Sequence, residues 1–301
     1  MSKEIPAQYE ARDPREAYPA PPFPSQQQTG NGSTKSMIPQ PDHGEASYVG
    51  LGRMKGRRAV ITGADSGIGR AAAIAFAREG ASVVINCLHD SSADARSTLT
   101  LVKQAGASAW LHGGDVSDED YCDRLIAQSA ELMGGIDILV NNAGMQVTQS
   151  SIEDITTDQF DRTFRTNVYA SFWLCKAALP YMKPGATIIN VTSVQGFDPS
   201  EHLLAYASTK FALRGFTQAL AKQVANRGIR VNAVAPGPFW TPLQPSGGQT
   251  DEKVQHFGEN SLFGRPGQPA EIASTFVFLA TQESGYMTGE TIGVTGGHPV
   301  A

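Results

Sequence analysis

Short apolar runs alternate with longer amphipathic stretches from residue 56 to near the end of the chain. The short runs are rich in Val and Ile, and their length and composition predict β-strands. Most of them are apolar throughout, which is typical of a parallel sheet with both faces covered. The predicted strands are Arg58–Thr62, Ser82–Cys87, Ser108–Leu111, Ile136–Asn141, Ala186–Val191, Ile229–Val234 and Thr291–Val294.

The stretches between these strands have helical periodicity. In one of them, Leu213, Phe216, Leu220 and Val224 recur at three- and four-residue spacing and give a single apolar stripe. Strands that alternate with helices predict an α/β fold, a right-handed doubly wound parallel sheet of seven strands with helices on both faces. The predicted helices are Ile68–Glu79, Ser92–Gln104, Asp118–Met133, Thr157–Met182, Ala205–Asn226 and Pro269–Thr281.

The first 52 residues have a different composition from the rest of the chain. Eight of the 18 prolines fall between Pro6 and Pro41, and such a stretch buries too little apolar surface to fold alone. Two interpretations stay open: a flexible tail, or an arm over residues 37–52 whose apolar side chains fill a groove on the domain or on a neighbouring subunit. We therefore divide the chain into a Pro-rich N-terminal arm, residues 1–52, extended or partly disordered, and one domain, residues 53–301. The candidate groove-filling side chains are Ile38, Tyr48, Val49 and Leu51.

Charge and cysteine content narrow the class of protein. A net charge of -5 leaves no basic surplus for nucleic-acid binding. No apolar run reaches the ~20 residues that span a bilayer, and the N-terminus lacks the pattern of a secretory signal, so we expect a cytoplasmic protein without a membrane partner. Three cysteines without close Cys or His companions predict reduced, buried thiols, and the spacing of the six histidines predicts no metal site.

A glycine-rich loop follows the first predicted strand. It reads Thr62-Gly63-Ala64-Asp65-Ser66-Gly67-Ile68-Gly69 and leads into an alanine-rich helix. Gly63 allows a sharp turn, Gly67 allows the backbone to approach a pyrophosphate, and Gly69 allows close packing of helix and strand. The helix N-terminus offers free N–H donors to an anion, so the loop is a candidate dinucleotide site, although similar loops also occur without a ligand.

Five further motifs follow in chain order. They are Asp115-Val116, Asn141-Asn142-Ala143-Gly144 with Asn167 in the next helix, Ser193, Tyr206-x-x-x-Lys210, and Pro236-Gly237. With the T-G-x-x-x-G-I-G spacing, the chain from Gly56 to Gly297 resembles the classical short-chain dehydrogenases/reductases. The resemblance implies a Rossmann-type fold, a nicotinamide cofactor, catalytic Asn167, Ser193, Tyr206 and Lys210, and cofactor-binding Gly63, Asp65, Ser66, Gly67, Ile68, Gly69, Asp115, Val116, Asn142, Ala143, Gly144, Tyr206, Lys210, Pro236, Gly237 and Thr241.

The choice between NAD and NADP depends on the end of the second strand. An NAD-selective site usually has an acid there for the ribose 2′-hydroxyl, but this chain reads Asn86-Cys87-Leu88 and also lacks a phosphate-binding Arg. Asp65 would repel a 2′-phosphate, whereas Ser66 and His89 can donate hydrogen bonds to one. We expect NADP to be preferred slightly and both cofactors to be used.

Tyr206 and Lys210 lie four residues apart on a predicted helix and therefore project from one face. A free Tyr titrates near ~10, and a neighbouring ammonium or an oxidised nicotinamide ring favours the phenolate and lowers that pKa. Tyr206 is thus the predicted general acid/base, and Ser193 can donate a hydrogen bond to the same substrate oxygen. By resemblance, Lys210 also holds the nicotinamide ribose, and Asn167 holds a water that links Lys210 to solvent.

Residues on the substrate side are predicted from the segment between Trp240 and Gly267. Phe239, Trp240, Leu243 and Phe257 would form an apolar wall, with Gln146, Gln195 and His202 as polar points. An apolar pocket suits a small aldehyde or ketone, or the corresponding alcohol. Within the family, the N-terminal extension and the run from Pro236 to Gln244 resemble a bacterial subgroup of general aldehyde reductases, which implies a homotetramer.

The sequence leaves alternatives to the hypothesis of an NAD(P)-dependent oxidoreductase. A catalytically silent dinucleotide-binding regulator or scaffold has the same fold, but losing Tyr206, Lys210 or Ser193 would have favoured it, and all three are present. An epimerase or enoyl reductase is a third hypothesis, although enoyl reductases usually space their Tyr and Lys further apart. A Ser-His-Asp hydrolase is disfavoured, because the sequence contains no G-x-S-x-G nucleophile elbow.

Overall fold

Seven parallel strands form one sheet in a computed structural model that describes residues 7–247 and 249–300. Residues 1–6 of the predicted arm, Gly248 and Ala301 lie outside the described residues. The strand order is β3-β2-β1-β4-β5-β6-β7, so the predicted seven-stranded doubly wound sheet is confirmed. The strands are β1 Arg58–Ile61, β2 Ser82–Cys87, β3 Ala109–Gly113, β4 Ile138–Asn141, β5 Thr187–Val191, β6 Arg230–Pro236 and β7 Thr291–Val294.

Helices cover both faces of this sheet. Helices α1, α2 and α9 pack on one face, and α3, α5 and α6 pack on the other. The α-helices are α1 Gly67–Arg78, α2 Ala93–Gln104, α3 Glu119–Met133, α4 Thr157–Phe164, α5 Ala170–Ala178, α6 Leu204–Val224, α7 Leu243–Ser246, α8 Asp251–Gln255 and α9 Pro269–Ala280. Short 3₁₀ turns span Ala7–Tyr9, Thr34–Ser36, Ile152–Asp154, Leu179–Tyr181, Val194–Gly196, Glu201–Leu203, Ala225–Arg227 and Gln282–Ser284.

The apolar strands have the burial that their sequence predicts. Along β1, Val60 packs toward one face and Ile61 toward the other, and both are fully buried. Small side chains allow α1 to approach the sheet closely, since its alanines from Ala71 to Ala77 are buried. The helix starts are also encoded locally, because Ser92 and Asp118 accept backbone N–H groups at the starts of α2 and α3.

One predicted helix contains irregular turns. The helix predicted over Thr157–Met182 comprises α4, a π-helical turn at Arg165–Tyr169, α5 and a final 3₁₀ turn at Leu179–Tyr181, so its extent is confirmed but its regular α-helical form is not. Asn167 lies within the π turn, where its amide bonds to the backbone of Met145. A π turn adds a residue to the helical repeat and is often found at functional sites.

The strand order reverses between β1 and β4. From β1 the chain proceeds outward through β2 and β3, and it then crosses to β4 on the other side. The loops after these two strands turn in opposite directions and leave a crevice at their carboxyl ends, where open α/β sheets bind ligands. Every motif identified in the sequence lies at this edge of the sheet or on a helix that follows it.

Residues 7–52 run along the outside of the domain. Of the four predicted groove-filling side chains, Tyr48 is buried and donates a hydrogen bond to Glu79, whereas Ile38 and Leu51 are exposed. The three cysteines are free and buried, as predicted. No helix formed by the described residues is long and apolar enough to cross a membrane.

Candidate active site

A cleft of about 880 Å³ opens at the carboxyl ends of the strands. This volume lies within the ~300–1,000 Å³ typical of ligand pockets. Almost all the predicted site residues line it together. They are Gly63, Asp65, Ser66, Gly67, Ile68, Asp115, Val116, Asn142, Ala143, Gly144, Gln146, Ser193, Gln195, His202, Tyr206, Lys210, Pro236, Gly237, Phe239 and Thr241.

The glycine-rich loop has the close packing that its residues predict. Gly63 and Gly67 have φ values of 59° and 52°, a left-handed conformation that favours glycine. A Cβ on Gly69 would overlap the Gly63 carbonyl and lie 2.5 Å from Asn142 Nδ2, so this glycine lies behind the cleft wall. No bond from the Ser66 side chain caps α1 among the described residues, which leaves its first N–H groups to a ligand.

Thr62 and Asn142 join the loops after β1 and β4. Thr62 Oγ1 accepts the backbone N–H groups of Asn142 and Ala143, each at 3.0 Å. The Asn142 amide donates to the carbonyl oxygens of Thr62 and Gly63, each at 2.9 Å. Asn142 therefore lines the cleft but uses its side chain to hold the phosphate loop, a role that its position in the sequence does not reveal.

Tyr206, Lys210 and Ser193 form a buried polar cluster on the cleft wall. Tyr206 is 9% exposed and Lys210 is 3% exposed. Lys210 Nζ donates to the Val191 carbonyl oxygen at 2.8 Å and lies 5.2 Å from the centre of the Tyr206 ring. The helical spacing thus brings the ammonium and the phenol to one face of α6, as predicted.

The pKa of Tyr206 moves in the direction opposite to that expected from its ammonium neighbour. Burial raises the pKa of Tyr206 to about 12, and a hydrogen bond with Ser193 lowers it in part. Burial also lowers the pKa of Lys210 to about 8. The reason is desolvation, which penalises the phenolate and the ammonium alike. The protein alone therefore holds Tyr206 as a neutral phenol, ready to donate a proton.

Asn167 lies behind the cleft wall. Its Oδ1 accepts the Met145 N–H at 2.8 Å, and its Nδ2 donates to the Met145 carbonyl at 2.9 Å and to Thr209 Oγ1 at 3.0 Å. Because these bonds occupy the side-chain amide, Asn167 positions the segment after β4 against α6. Its predicted role as the holder of a water stays a prediction.

The edge of the cleft near β2 is formed by buried residues. Asn86 points inward and donates to Tyr121 Oη at 2.9 Å, and Cys87 is buried. Burial raises the pKa of the Asp65 carboxyl, with a smaller contribution from Asp94. Asp65 is the acid that we expected to oppose a 2′-phosphate, and it lines the cleft.

The substrate end of the cleft contains the polar and apolar residues predicted for it, except Trp240. Gln146 is 7% exposed, and its Nε2 has no hydrogen-bond partner within residues 7–247 and 249–300. Gln195 and His202 lie on the same wall, and Phe239, Leu243 and Phe257 provide the apolar part. An unpaired buried N–H donor is costly unless a ligand accepts its hydrogen bond.

The prediction that Trp240 lines the substrate pocket is wrong. It is fully buried, its Nε1 donates to the Pro39 carbonyl oxygen at 2.8 Å, and its ring centre lies 4.4 Å from that of Phe23. Trp240 therefore anchors the N-terminal arm instead of facing the cleft. Gly30 and Asn31 of the same arm line the cleft, and no motif in the sequence indicates this because they lie far from the other site residues along the chain.

The known proteins that are similar to this chain over most of its length are described as reductases, dehydrogenases or other oxidoreductases. Residues 63–298 match a family model described as enoyl-(acyl carrier protein) reductase. An uncharacterized oxidoreductase of Bacillus subtilis, YhxD, is 51% identical over 282 residues, which are 93% of this chain and 94% of that protein. A glucose and ribitol dehydrogenase of Daucus carota is 40% identical over 280 residues, or 91% of this chain and 96% of that protein.

A solved structure is similar in both fold and sequence. It is a short chain dehydrogenase from Burkholderia cenocepacia in complex with NADP, with a TM-score of 0.76 and 30% sequence identity. The match covers 82% of this chain and 99% of that one.

Proposed function

The chain is an oxidoreductase of the short-chain dehydrogenase/reductase family, and we propose that it transfers a hydride between a nicotinamide dinucleotide and a carbonyl or alcohol substrate, with Tyr206 as general acid/base. The observation that carries this proposal is the cluster of Tyr206, Ser193 and Lys210 beside a glycine-lined cleft. Isolated Tyr–Lys pairs are common on helices, but a buried pair at a ligand cleft has a specific chemical use.

The residues of the cleft fit a dinucleotide. Gly63 and Gly67 allow close approach at the uncapped start of α1, where an anionic pyrophosphate is stabilised. Asp115 and Val116 would hold the adenine, and Pro236, Gly237 and Thr241 would hold the nicotinamide end. When bound, the nicotinamide supplies or accepts the hydride.

Side chains of the protein then transfer the proton. In the reductive direction Tyr206 donates its proton to the carbonyl oxygen, and Ser193 donates a hydrogen bond to the same oxygen as negative charge develops. Lys210 stabilises the phenolate that remains. In the oxidative direction Tyr206 accepts the hydroxyl proton, which requires its pKa to fall from about 12, and a positive nicotinamide ring favours that change.

We propose that both NADP and NAD serve as cofactor, with a slight preference for NADP. Ser66 and His89 can donate hydrogen bonds to a 2′-phosphate, and no acid ends β2, where an NAD-selective site usually has one. The similar Burkholderia structure holds NADP. Dissociation constants of the four oxidised and reduced dinucleotides measure the preference directly.

We propose a small oxygen-bearing substrate, an aldehyde or ketone or the corresponding alcohol. The unpaired Gln146 donor suits a substrate with an additional oxygen beyond the reacting one. A relative is described as a glucose and ribitol dehydrogenase, so polyols and sugars belong in the substrate panel together with simple aldehydes. A Gln146→Ala variant should lose more activity toward hydroxylated substrates than toward simple ones.

A substrate panel tests the proposed function. Aldehydes, ketones, alcohols, sugars and an enoyl thioester are assayed with all four dinucleotides, for the wild type and for Tyr206→Phe. We expect turnover of a carbonyl–alcohol pair that the substitution abolishes. Binding of a dinucleotide without any turnover would favour a catalytically silent regulator on this fold, and turnover of the enoyl thioester alone would assign the activity in the family description.

We propose a homotetramer as the working form. Large apolar side chains are exposed on the outer faces of the segment from α4 to α6, among them Phe172 and Phe211 at 48% and 44% exposure. Such clusters often mark subunit interfaces. Light scattering of the purified protein measures the assembly, and Phe172→Glu should shift it toward smaller species.

A further inference from the structure

The N-terminal arm forms a loop that reaches the cleft. At its base, Gln26 pairs with the backbone of Ile38 through an N–H donated at 2.6 Å and another accepted at 2.9 Å. We call residues 26–38 the arm loop. Its tip, Gly30 to Ser33, crosses from the segment containing α7 to the start of α2.

Both sides of this crossing are held by specific contacts. On one side Gln28 N–H donates to the Pro245 carbonyl at 3.0 Å, and Gly32 lies so close to Pro242 that an added Cβ would be 2.9 Å from the Pro242 carbonyl oxygen. On the other side Thr34 N–H donates to Asp94 Oδ2 at 2.8 Å, and Asp94 is 9% exposed. The arm loop thus bridges α7, which lines the cleft, and the start of α2, which lines a second cavity.

A second cavity continues the cleft beneath the tip. Its volume is about 250 Å³, and it shares Asn31, Asp65 and Leu88 with the cleft. Ser33, His89 and Ser92 add polar groups to its lining. It lies beside the loop after β2, the position where the adenosine ribose binds in open α/β sheets.

We propose that the arm loop is part of the dinucleotide site and that its tip covers the adenosine end of the bound cofactor. This inference rests on the proposed function, because it requires a dinucleotide in the cleft. The pairing of Gln26 with Ile38 and the buried bond to Asp94 hold the loop in place before binding. A cofactor enclosed beneath the loop leaves only when the tip detaches from α7 or from α2.

Proteolysis of the wild-type chain tests the enclosure. Lys35 is exposed in the arm loop, so trypsin can cleave after it, and Arg15 is an exposed site of the same arm outside the loop. Saturating NADPH or NADH should slow cleavage after Lys35 several-fold and leave cleavage after Arg15 unchanged. Equal rates at Lys35 with and without bound dinucleotide would overturn the proposal.

A matched pair of glycine variants tests the contact of the arm loop with Pro242. Gly32 and Gly52 have φ values of 70° and 77°, so Ala is strained to a similar extent at both positions. A Cβ at position 32 would lie 2.9 Å from the Pro242 carbonyl oxygen, whereas a Cβ at position 52 meets no atom within 4 Å. We expect Gly32→Ala to raise the dissociation rate of NADPH or NADH about 5- to 20-fold, and Gly52→Ala to leave it unchanged.

The outcomes separate this proposal from the proposed function. If the wild type binds no dinucleotide, the proposed function fails and the arm-loop proposal fails with it. If the wild type binds one and Gly32→Ala releases it at the wild-type rate, only the arm-loop proposal is wrong. Should Gly32→Ala fail to fold, the proteolysis of the wild type still decides.

Discussion

The two walls of the cleft are built from different kinds of contact. The wall at the strand ends holds Tyr206 and Lys210, buried polar groups whose neighbours belong to the sheet and to α6. The opposite wall combines the arm with the segment around α7 and α8, and the bond from Trp240 to Pro39 joins residues 201 positions apart. In the proposed function the first wall carries the proton chemistry, and in the arm-loop proposal the second encloses the ligand.

This difference predicts two classes of variant. Changes in the sheet wall that remove a reacting group should lower turnover while the dinucleotide still binds. Changes in the arm wall should weaken binding or speed release while the chemical step continues. Variants in each wall test this separation.

The largest effect is expected for Tyr206→Phe. Removal of the hydroxyl deletes the proton donor, so kcat should fall by roughly 10²–10⁴-fold. The dissociation constant of the dinucleotide should change by less than about threefold, because the ring remains. Steady-state kinetics and fluorescence titration measure the two quantities.

Tyr181→Phe is the control for Tyr206→Phe. Tyr181 is an exposed tyrosine away from the cleft, and its loss should leave both quantities unchanged. A Tyr206→Phe enzyme with wild-type turnover would contradict the assignment of the proton donor.

Lys210→Met should lower activity and raise stability together. Loss of the ammonium should reduce turnover by roughly 10²-fold, since the phenolate loses its nearby charge. Burial lowers the pKa of Lys210 from 10.5 to about 8, so the charged form is destabilised in the folded state. Replacing it should raise the free energy of unfolding at pH 7 by about 1–3 kcal/mol, an amount reduced by the lost bond to Val191.

The sign of the pH dependence makes this prediction specific. Between pH 8 and 10.5 the unfolded chain holds the Lys210 proton more tightly than the folded chain. The wild type therefore becomes more stable as pH rises through this range, and the advantage of Lys210→Met is largest below pH 8 and disappears above 10.5. Chemical denaturation at several pH values checks it, with Lys222→Met on the exposed side of α6 as control.

Gly69→Ala should weaken dinucleotide binding without removing any chemical group. The added Cβ would overlap the Gly63 carbonyl and press on Asn142, which moves the phosphate loop. Overpacking of this kind costs about 1–3 kcal/mol, and because a bound pyrophosphate requires the wild-type loop position, up to this amount is lost from binding, or roughly 5- to 150-fold in the dissociation constant.

Gly215→Ala on α6 is the matched control for Gly69→Ala. A Cβ there meets no atom within 4 Å, so it should raise the free energy of unfolding by up to about 1 kcal/mol and leave binding unchanged. Equal dinucleotide affinity in the two variants would contradict the packing account of the phosphate loop.

The smallest effect is expected for Trp240→Phe. The ring remains packed against Phe23, but the hydrogen bond to Pro39 is lost. We expect a loss of about 1 kcal/mol in the free energy of unfolding and a dissociation constant for the dinucleotide raised about two- to fivefold, with kcat unchanged. Trp110→Phe on β3, away from the arm, serves as control; a fall in kcat for Trp240→Phe would contradict the separation of the two walls.

The difference between the walls also explains what the sequence could predict. The seven strands and the residues that follow them were predictable, because strand burial and glycine turns are local properties of the chain. The π turn at Arg165–Tyr169 was not, since it accompanies contacts of Asn167 with Met145 and Thr209, which lie 22 and 42 positions away along the chain. Trp240 was predicted in the substrate pocket because an aromatic residue that follows a strand can line a pocket as readily as it can pack against the N-terminal arm.

No local pattern in the sequence indicates the roles of the arm and of Asn142. Proline-rich sequence indicates only that a segment cannot fold alone, and Thr34 finds its partner Asp94 60 positions away. The pKa of Tyr206 was likewise not predictable from the sequence. Helical spacing places an ammonium near the phenol, but it does not indicate the burial that raises the pKa of Tyr206 to about 12.

The central claim is that the Tyr206 phenol exchanges its proton under the influence of Lys210 and a bound dinucleotide. Its most direct test is the ultraviolet titration of tyrosinate in the wild type minus Tyr206→Phe, with and without saturating oxidised NADP or NAD. We predict a pKa of about 12 for the free protein and a value lower by several units with the oxidised dinucleotide bound. A difference titration that the dinucleotide leaves unchanged would contradict the account.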